Sequence, residues 1–262
     1  MQVWTVANQK GGVGKTTTVV SLAGLLAEVG YRVLLIDLDP HGSLTSYFGY
    51  DPDELEFSVF DLFEGSNPIN ASTVHRMLLE TSHERLELMP ASTALATLER
   101  RAVGQEGMGL QIARALVQVK EEYDYVIIDT PPILGVLMVN ALAACQHLLV
   151  PVQTEFLALK GLERMVRTIS MINQARKNKL KYTIIPTFYD RRAHASVTSL
   201  RELHNRYSDR ISSAIVPVDT ELRNASIKGL VPSAVDSSSR GVHAYARILR
   251  TLVEAQKQEA SV

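Results

Sequence analysis

Gln9-Lys10-Gly11-Gly12-Val13-Gly14-Lys15-Thr16-Thr17 follows a short apolar strand and opens a helix. Lys15 and Thr16 supply the G-K-[ST] ending of a P-loop, the backbone cradle that holds nucleotide phosphates. Gly11, Gly12 and Gly14 let the chain turn tightly and aim several N–H groups at phosphate oxygens. The helix behind them adds the positive end of its dipole. Lys15 is placed to neutralise the β- and γ-phosphates, and the Thr16 hydroxyl to ligate Mg²⁺. The pattern G-x-x-x-x-G-K-[ST] departs at its first position, where Gln9 replaces glycine, and it carries a surplus cation at Lys10.

Outward from this loop the chain alternates strand and helix. Gln2–Ala7 reads as a buried strand, 15–29 as a helix ended by Gly30, and Arg32–Ile36 as a second strand closing on Asp37-Leu38-Asp39-Pro40. Such a βαβ unit needs a right-handed crossover, and its continuous apolar strands need cover on both faces. Further strands are expected at Leu86–Met89, Tyr125–Ile128, His147–Pro151 and Tyr182–Pro186. Helices are expected up to about Glu122, then over 156–175, near 196–207, briefly after Val216-Pro217, and over about 241–257. No linker interrupts the series. The expectation is one α/β domain over 1–262: a doubly wound, mostly parallel sheet with helices on both faces.

Composition excludes several classes. The 262 residues are 46% hydrophobic and 21% charged with a formal net charge of -1, so no global charge draws the chain to nucleic acid or anionic lipid. The lone Cys145 precludes an intrachain disulfide and sits among small apolar residues, as a buried thiol would. The seven histidines show no zinc-ligand spacing. Met1 leads directly into the first strand without a secretion signal, and neither a membrane span nor an amphipathic anchor is visible, so a cytoplasmic chain is expected.

Three carboxylates fall at the carboxyl edges of strands, where open α/β sheets bind ligands. Asp129, after Tyr125-Val126-Ile127-Ile128, has the shape of a Walker B aspartate holding Mg²⁺, and Asp37 is a second candidate ligand. Asp39, expected near the γ-phosphate, is the candidate to orient an attacking water. Each could instead cap a turn.

Lys10–Thr17 (KGGVGKTT), Asp37–Gly42 (DLDPHG) and Ile127–Pro132 (IIDTPP) resemble the deviant Walker A, switch I and Walker B/switch II segments of the ParA/MinD family of P-loop NTPases. The resemblance extends over almost the whole chain, including Pro151–Glu155 (PVQTE) and Leu159–Leu162 (LKGL). It implies an ATPase using ATP and Mg²⁺ that forms a nucleotide-sandwich homodimer. In that family the lysine matching Lys10 crosses to the partner subunit's phosphates, a catalytic role beside Lys15 and Asp39. A second cation there would stabilise transition-state charge as an arginine finger does. The nucleotide contacts implied are Gly11, Gly12, Val13, Gly14, Lys15, Thr16 and Thr17, with Thr187, Pro217, Val218 and Asp219 around the base; loop chemistry alone could also explain those last four.

Arg192 and Arg240 match basic positions of partition ATPases and are the candidate contacts to nonspecific DNA. Two further arginine positions carry Val218 and Glu221 instead, which weakens the cation count on which phosphate binding depends. Arg176–Lys181 (RKNKLK) could compensate or be a solvated helix end. Asp39–Gly49, Phe57–Phe63 and Thr187–Arg192 resemble the ParC branch, associated with placing chemotaxis arrays at the cell pole. The implied function is an ATP-dependent switch that positions or segregates cargo with an activating partner protein, at a cell pole or on the nucleoid. The alternatives are a chromosome or plasmid partition ATPase on nonspecific DNA, or a small-molecule kinase or ligase.

Two smaller readings complete the set. His41 follows Pro40 where the family often has glutamine, and reads as a structural or solvated loop histidine. Phe156, Leu157, Leu159, Leu162, Met165, Val166 and Ile169 recur at helical spacing and read as core, part of which could serve the dimer. Trp4 reads as packing.

Overall fold

The computed structural model describes residues 1–65, 68–101 and 108–260. The chain runs β1 (Gln2–Val6), α1 (Lys15–Glu28), β2 (Val33–Asp37), α2 (Ser43–Tyr47), α3 (Ala71–Arg76), β3 (Leu79–Glu80), β4 (Leu86–Met89), α4 (Leu95–Arg101) and α5 (Gln111–Gln118). It continues through β5 (Tyr125–Asp129), α6 (Val136–Ala144), β6 (His147–Gln153), α7 (Phe156–Ala175), β7 (Lys181–Thr187), α8 (His194–Tyr207), α9 (Glu221–Lys228), α10 (Pro232–Val235) and α11 (Arg240–Ala260). Part of the helical stretch expected before Glu122, residues 102–107, lies outside the described residues.

One seven-stranded sheet has the order β3-β4-β2-β5-β1-β6-β7, parallel throughout except for the two-residue β3. β1 lies between β5 and β6, with Trp4 in register with Ile127 on one side and His147 on the other. The chain turns from one side of β1 to the other at this place, so the sheet has its switch point beside the glycine-rich loop.

The central strands are mainly apolar because both faces are covered. Their alternate residues enter different cores. Trp4, Val6, Val33, Leu35, Tyr125 and Ile127 pack with α1, α9 and α11, whereas Val3, Leu34, Ile36, Val126 and Ile128 pack under α3 to α6. A third cluster joins β6 and β7 to α7 and α8. The doubly wound expectation holds. Trp4 and Cys145 are fully buried, as expected.

α1 carries the loop, and it is pressed hard against its neighbours. At Gly24 a β-carbon would lie 2.6 Å from Val231 Cβ, so glycine is what lets α10 approach this helix. Buried Thr18 of α1 meets the Tyr245 hydroxyl of α11 at 2.9 Å and donates to the Gly14 carbonyl at 2.7 Å. The last long helix therefore braces the first turn after the loop.

One expectation needs correction. On α7, Leu159, Leu162, Met165 and Ile169 are buried, but Phe156 and Leu157 are 65% and 66% exposed. Helical spacing places residues on a stripe; it does not say that the first turn has a neighbour to pack against. In the basic run after α7, Lys177 and Lys179 are exposed, as a solvated helix end requires, while Arg176 is tied down. Arg176 donates to the Leu142 and Cys145 carbonyls and closes the end of α6, and Lys181 begins β7, at the opposite sheet edge from the loop. No helix among the described residues is long and apolar enough to cross a membrane.

Candidate functional site

The loop following β1 is tied down from outside. Asn8 donates to the Pro151 carbonyl, and the Gln9 side chain donates to Thr168 of α7 at 2.9 Å. Glutamine at the first P-loop position thus becomes an anchor to a neighbouring helix. Gly14 caps α1 in the left-handed conformation at φ 87, and a β-carbon there would touch the Phe188 ring at 3.4 Å. Phe188 itself has φ 51, alone among described non-glycine residues in being positive. Such strain persists only where packing enforces it.

Gly11, Gly12, Lys15, Thr16, Asp39 and His41 are among the residues lining an open cavity of about 470 Å³ over the loop. Lys15 is buried at its floor. Behind it, the Thr16 hydroxyl donates to Asp129 Oδ2 at 2.6 Å, while Asp129 Oδ1 accepts from the Thr130 N–H. Asp37 stands beside Asp129 in strand register and is equally buried. Its oxygens accept from Asp39 N–H, Thr45 N–H and the Thr45 hydroxyl, so it organises the turn into α2.

Two carboxylates buried side by side are unfavourable without a cation. Burial raises both carboxyls above the usual carboxylate range, and the Asp37 charge raises that of Asp129 further, against the opposing effects of the Thr16 hydroxyl and Lys15. A hydroxyl touching a carboxylate at a phosphate cradle is a hard-oxygen donor set suited to Mg²⁺, which keeps several waters and takes few protein ligands. Thr16 and Asp129 fit that role directly. Asp37 fits it less directly, because its oxygens already serve the turn.

Lys10 does not line this cavity. Its ammonium is paired with the Glu155 carboxylate just before α7, and its β-carbon packs 3.3 Å from the position a Gly161 β-carbon would take. The two outlying segments Pro151–Glu155 and Leu159–Leu162 therefore meet the loop at Asn8, Lys10 and Gln9's helix.

A second cavity of about 310 Å³ opens beside Thr17 and is lined mostly by apolar atoms, including Tyr47, Phe188, Pro217, Val218, Leu222 and Tyr245. Thr187, Pro217, Val218 and Asp219, the residues expected around a base, all border it. Two of them also have structural tasks. The Thr187 hydroxyl donates to the Val13 carbonyl, and Asp219 accepts from the Glu221 and Gly241 N–H groups and the Ser239 hydroxyl. Burial would raise the Asp219 carboxyl, but these donors outweigh it and hold it below the usual range. Tyr47, Phe188 and Tyr245 were not foreseen. Phe188 directly follows a residue that was; the other two come from distant segments with no local signal.

Arg192 and Arg240 lie in one cleft with Arg191, bordered by Pro217 and Val218. Asp190 holds the Arg192 guanidinium through two hydrogen bonds, to Nε at 3.1 Å and Nη2 at 3.0 Å. Val218 is half exposed in this cleft without a charge, and Glu221 occupies the first turn of α9, where a carboxylate suits the helix dipole.

Comparison with known proteins finds relatives over most of the chain. The AAA domain family matches residues 1–182. The sporulation initiation inhibitor protein Soj of Bacillus subtilis is 35% identical over 92% of this chain and 93% of its own length. The chromosome partitioning protein ParA of Myxococcus xanthus is 34% identical over 95% of this chain and 87% of its own. Among solved structures, one described as cobyrinic acid a,c-diamide synthase from Mycobacterium smegmatis, with bound ATP analog and magnesium, superposes with a TM-score of 0.83 at 36% identity, covering 98% of this chain and 96% of that one.

Proposed function

The chain belongs to the ParA/Soj family of P-loop ATPases, and from that premise we propose that it is an ATP-dependent dimerisation switch that partitions chromosomal or plasmid DNA. ATP and Mg²⁺ bind over Gly11–Thr17, with Thr16 and Asp129 at the metal and Asp39 toward the γ-phosphate. The partner copy's Lys10 completes the site. Hydrolysis removes the contacts that only ATP provides and releases the two copies.

The observation that carries this reading is the position of Lys10. In a single chain it is held by Glu155 instead of lining its own phosphate cavity. Exposed apolar side chains follow two of the residues concerned in sequence, Phe156 and Leu157 after Glu155, and Ile133 and Leu134 after Pro132. Exposed apolar groups next to charged ones suit a second copy of the chain.

The partition role draws on the Soj and ParA relatives. Placement of chemotaxis arrays, with recruitment to a cell pole, rests only on resemblance in segments such as Phe57–Phe63 and is the weaker reading. The amide-synthase description of the Mycobacterium structure keeps a small-molecule ligase as the competing enzyme class. Sizing the protein with ATP, ADP or no nucleotide, with and without DNA at several salt concentrations, separates these readings. ATP alone should produce a dimer, and Lys10→Ala should abolish it and slow hydrolysis while leaving monomer nucleotide binding intact. A monomer under all conditions, or unchanged turnover in Lys10→Ala, would refute the switch.

A further inference from the structure

Asp39 holds its two carboxylate oxygens very differently. Oδ1 accepts from the His41 backbone N–H at 3.1 Å and lies 2.8 Å from Nδ1 of the His41 ring. An ionised carboxylate can only accept, so the ring nitrogen facing it carries the hydrogen. Oδ2 has no hydrogen-bond partner among the described residues, and Asp39 lines the phosphate cavity with His41 next to it. The Asp39 side chain is 13% exposed, whereas the His41 ring is 82% exposed at the cavity mouth.

We propose that His41 is a positioning residue for hydrolysis, clamping Asp39 Oδ1 so that Oδ2 is presented to the attacking water. The proposal rests on the reading of Asp39 as the water-orienting group. A carboxylate bound at one donor can still swing about its Cβ–Cγ bond. A backbone N–H and a ring N–H converging on the same oxygen fix that rotation, and a donor to a charged acceptor is among the stronger hydrogen bonds. Orientation matters because a positioned water contributes to rate only in a near-attack geometry. The backbone donor is available to any residue at 41; the ring donor is supplied by this side chain. Because the ring stands largely in solvent, its removal leaves folding and packing undisturbed.

The test is single-turnover ATP hydrolysis by the full chain with Mg²⁺, alongside nucleotide affinity and sizing with ATP. His41→Ala should slow hydrolysis by about tenfold without changing ATP affinity or ATP-dependent association. His41→Asn, whose side-chain amide can place a donor where Nδ1 stands, should recover the rate to within about twofold. In an Asp39→Ala background, His41→Ala should cause no further loss. Unchanged hydrolysis in His41→Ala overturns the proposal, as does His41→Asn being as slow as His41→Ala. An ATP affinity that falls in step with the rate also overturns it, since that would mark a binding role. Asp39→Ala retaining full hydrolysis would instead remove the underlying reading of Asp39. Loss of activity in Asp39→Ala with a normal His41→Ala removes only the role of His41.

Discussion

Lys10 and Glu155 form an ion pair within a single chain, at side-chain exposures of 27% and 39%. In the proposed dimer the lysine that would reach the other copy's phosphates is already engaged, and association would exchange one anion for another. A pair this exposed is worth up to about 1 kcal/mol, and two of them open per dimer. Glu155→Gln should thus tighten ATP-dependent association by about 3–10-fold, read by sedimentation or sizing across protein concentrations. Weaker association in Glu155→Gln would show that the carboxylate serves the interface itself.

The buried pair Asp37 and Asp129 predicts an inverse pH response. Burial raises both carboxyls, with Asp37 adding to the rise at Asp129. An acid whose pKa is higher in the folded than in the unfolded chain favours folding when protonated. That stability is lost as pH rises from the unfolded value through the folded one. The nucleotide-free chain should therefore lose on the order of 1–3 kcal/mol from these groups between about pH 4 and neutrality. Asp129→Asn should reduce this loss and raise the neutral-pH melting temperature, while removing stabilisation by ATP with Mg²⁺. Chemical denaturation of both proteins at several pH values measures it; identical pH slopes would contradict the assignment.

The arginine cleft makes a separate prediction about DNA. Arg191, Arg192 and Arg240 share it, with Asp190 bound to Arg192. If the cleft meets phosphates, Arg240→Ala and Arg191→Ala should each weaken nonspecific DNA binding and lower the log–log salt slope by about 1. Asp190→Asn should strengthen binding by releasing Arg192. Titrations at a series of salt concentrations in the presence of ATP decide it, and salt-independent binding would rule the cleft out.

Gly24 tests how closely α1 must be held. With Val231 Cβ 2.6 Å from where a β-carbon would sit, Gly24→Ala forces α1 and α10 apart. The overpacking cost is about 1–3 kcal/mol, or roughly 2–4 °C of melting temperature per kcal/mol in a chain of this size. Thermal melting checks the cost, and a stabilised variant would mean that helix propensity outweighs the contact.

What could be read before the structure follows from how local each signal is. The loop, β2 and β5 were legible because continuous apolar runs end on charged residues at fixed offsets. α6 was not read: Ile133–Ala144 is apolar on every side, so no period marks it as a helix. β3 is two residues long and antiparallel, with no pattern at all. The candidate metal and phosphate residues lie within about ten positions of strand ends. By contrast, Tyr47 and Tyr245 reach the second cavity from α2 and α11, nearly 200 positions apart. Phe156 and Leu157 show the opposite failure, a correct helical stripe whose first turn has nothing to pack on.

The position of β1 in the sheet has a consequence for biosynthesis. It leaves the ribosome well before its partners β5 and β6, which begin at Tyr125 and His147. Until those residues emerge, Val3-Trp4-Thr5-Val6 has neither ladder, and the loop behind it has no frame. Chains of this length fold with non-local pairings that form late. A nascent chain arrested before about residue 153 therefore exposes an apolar strand with unmet backbone groups and cannot hold a nucleotide. Truncated translation products would burden chaperones without competing for ATP.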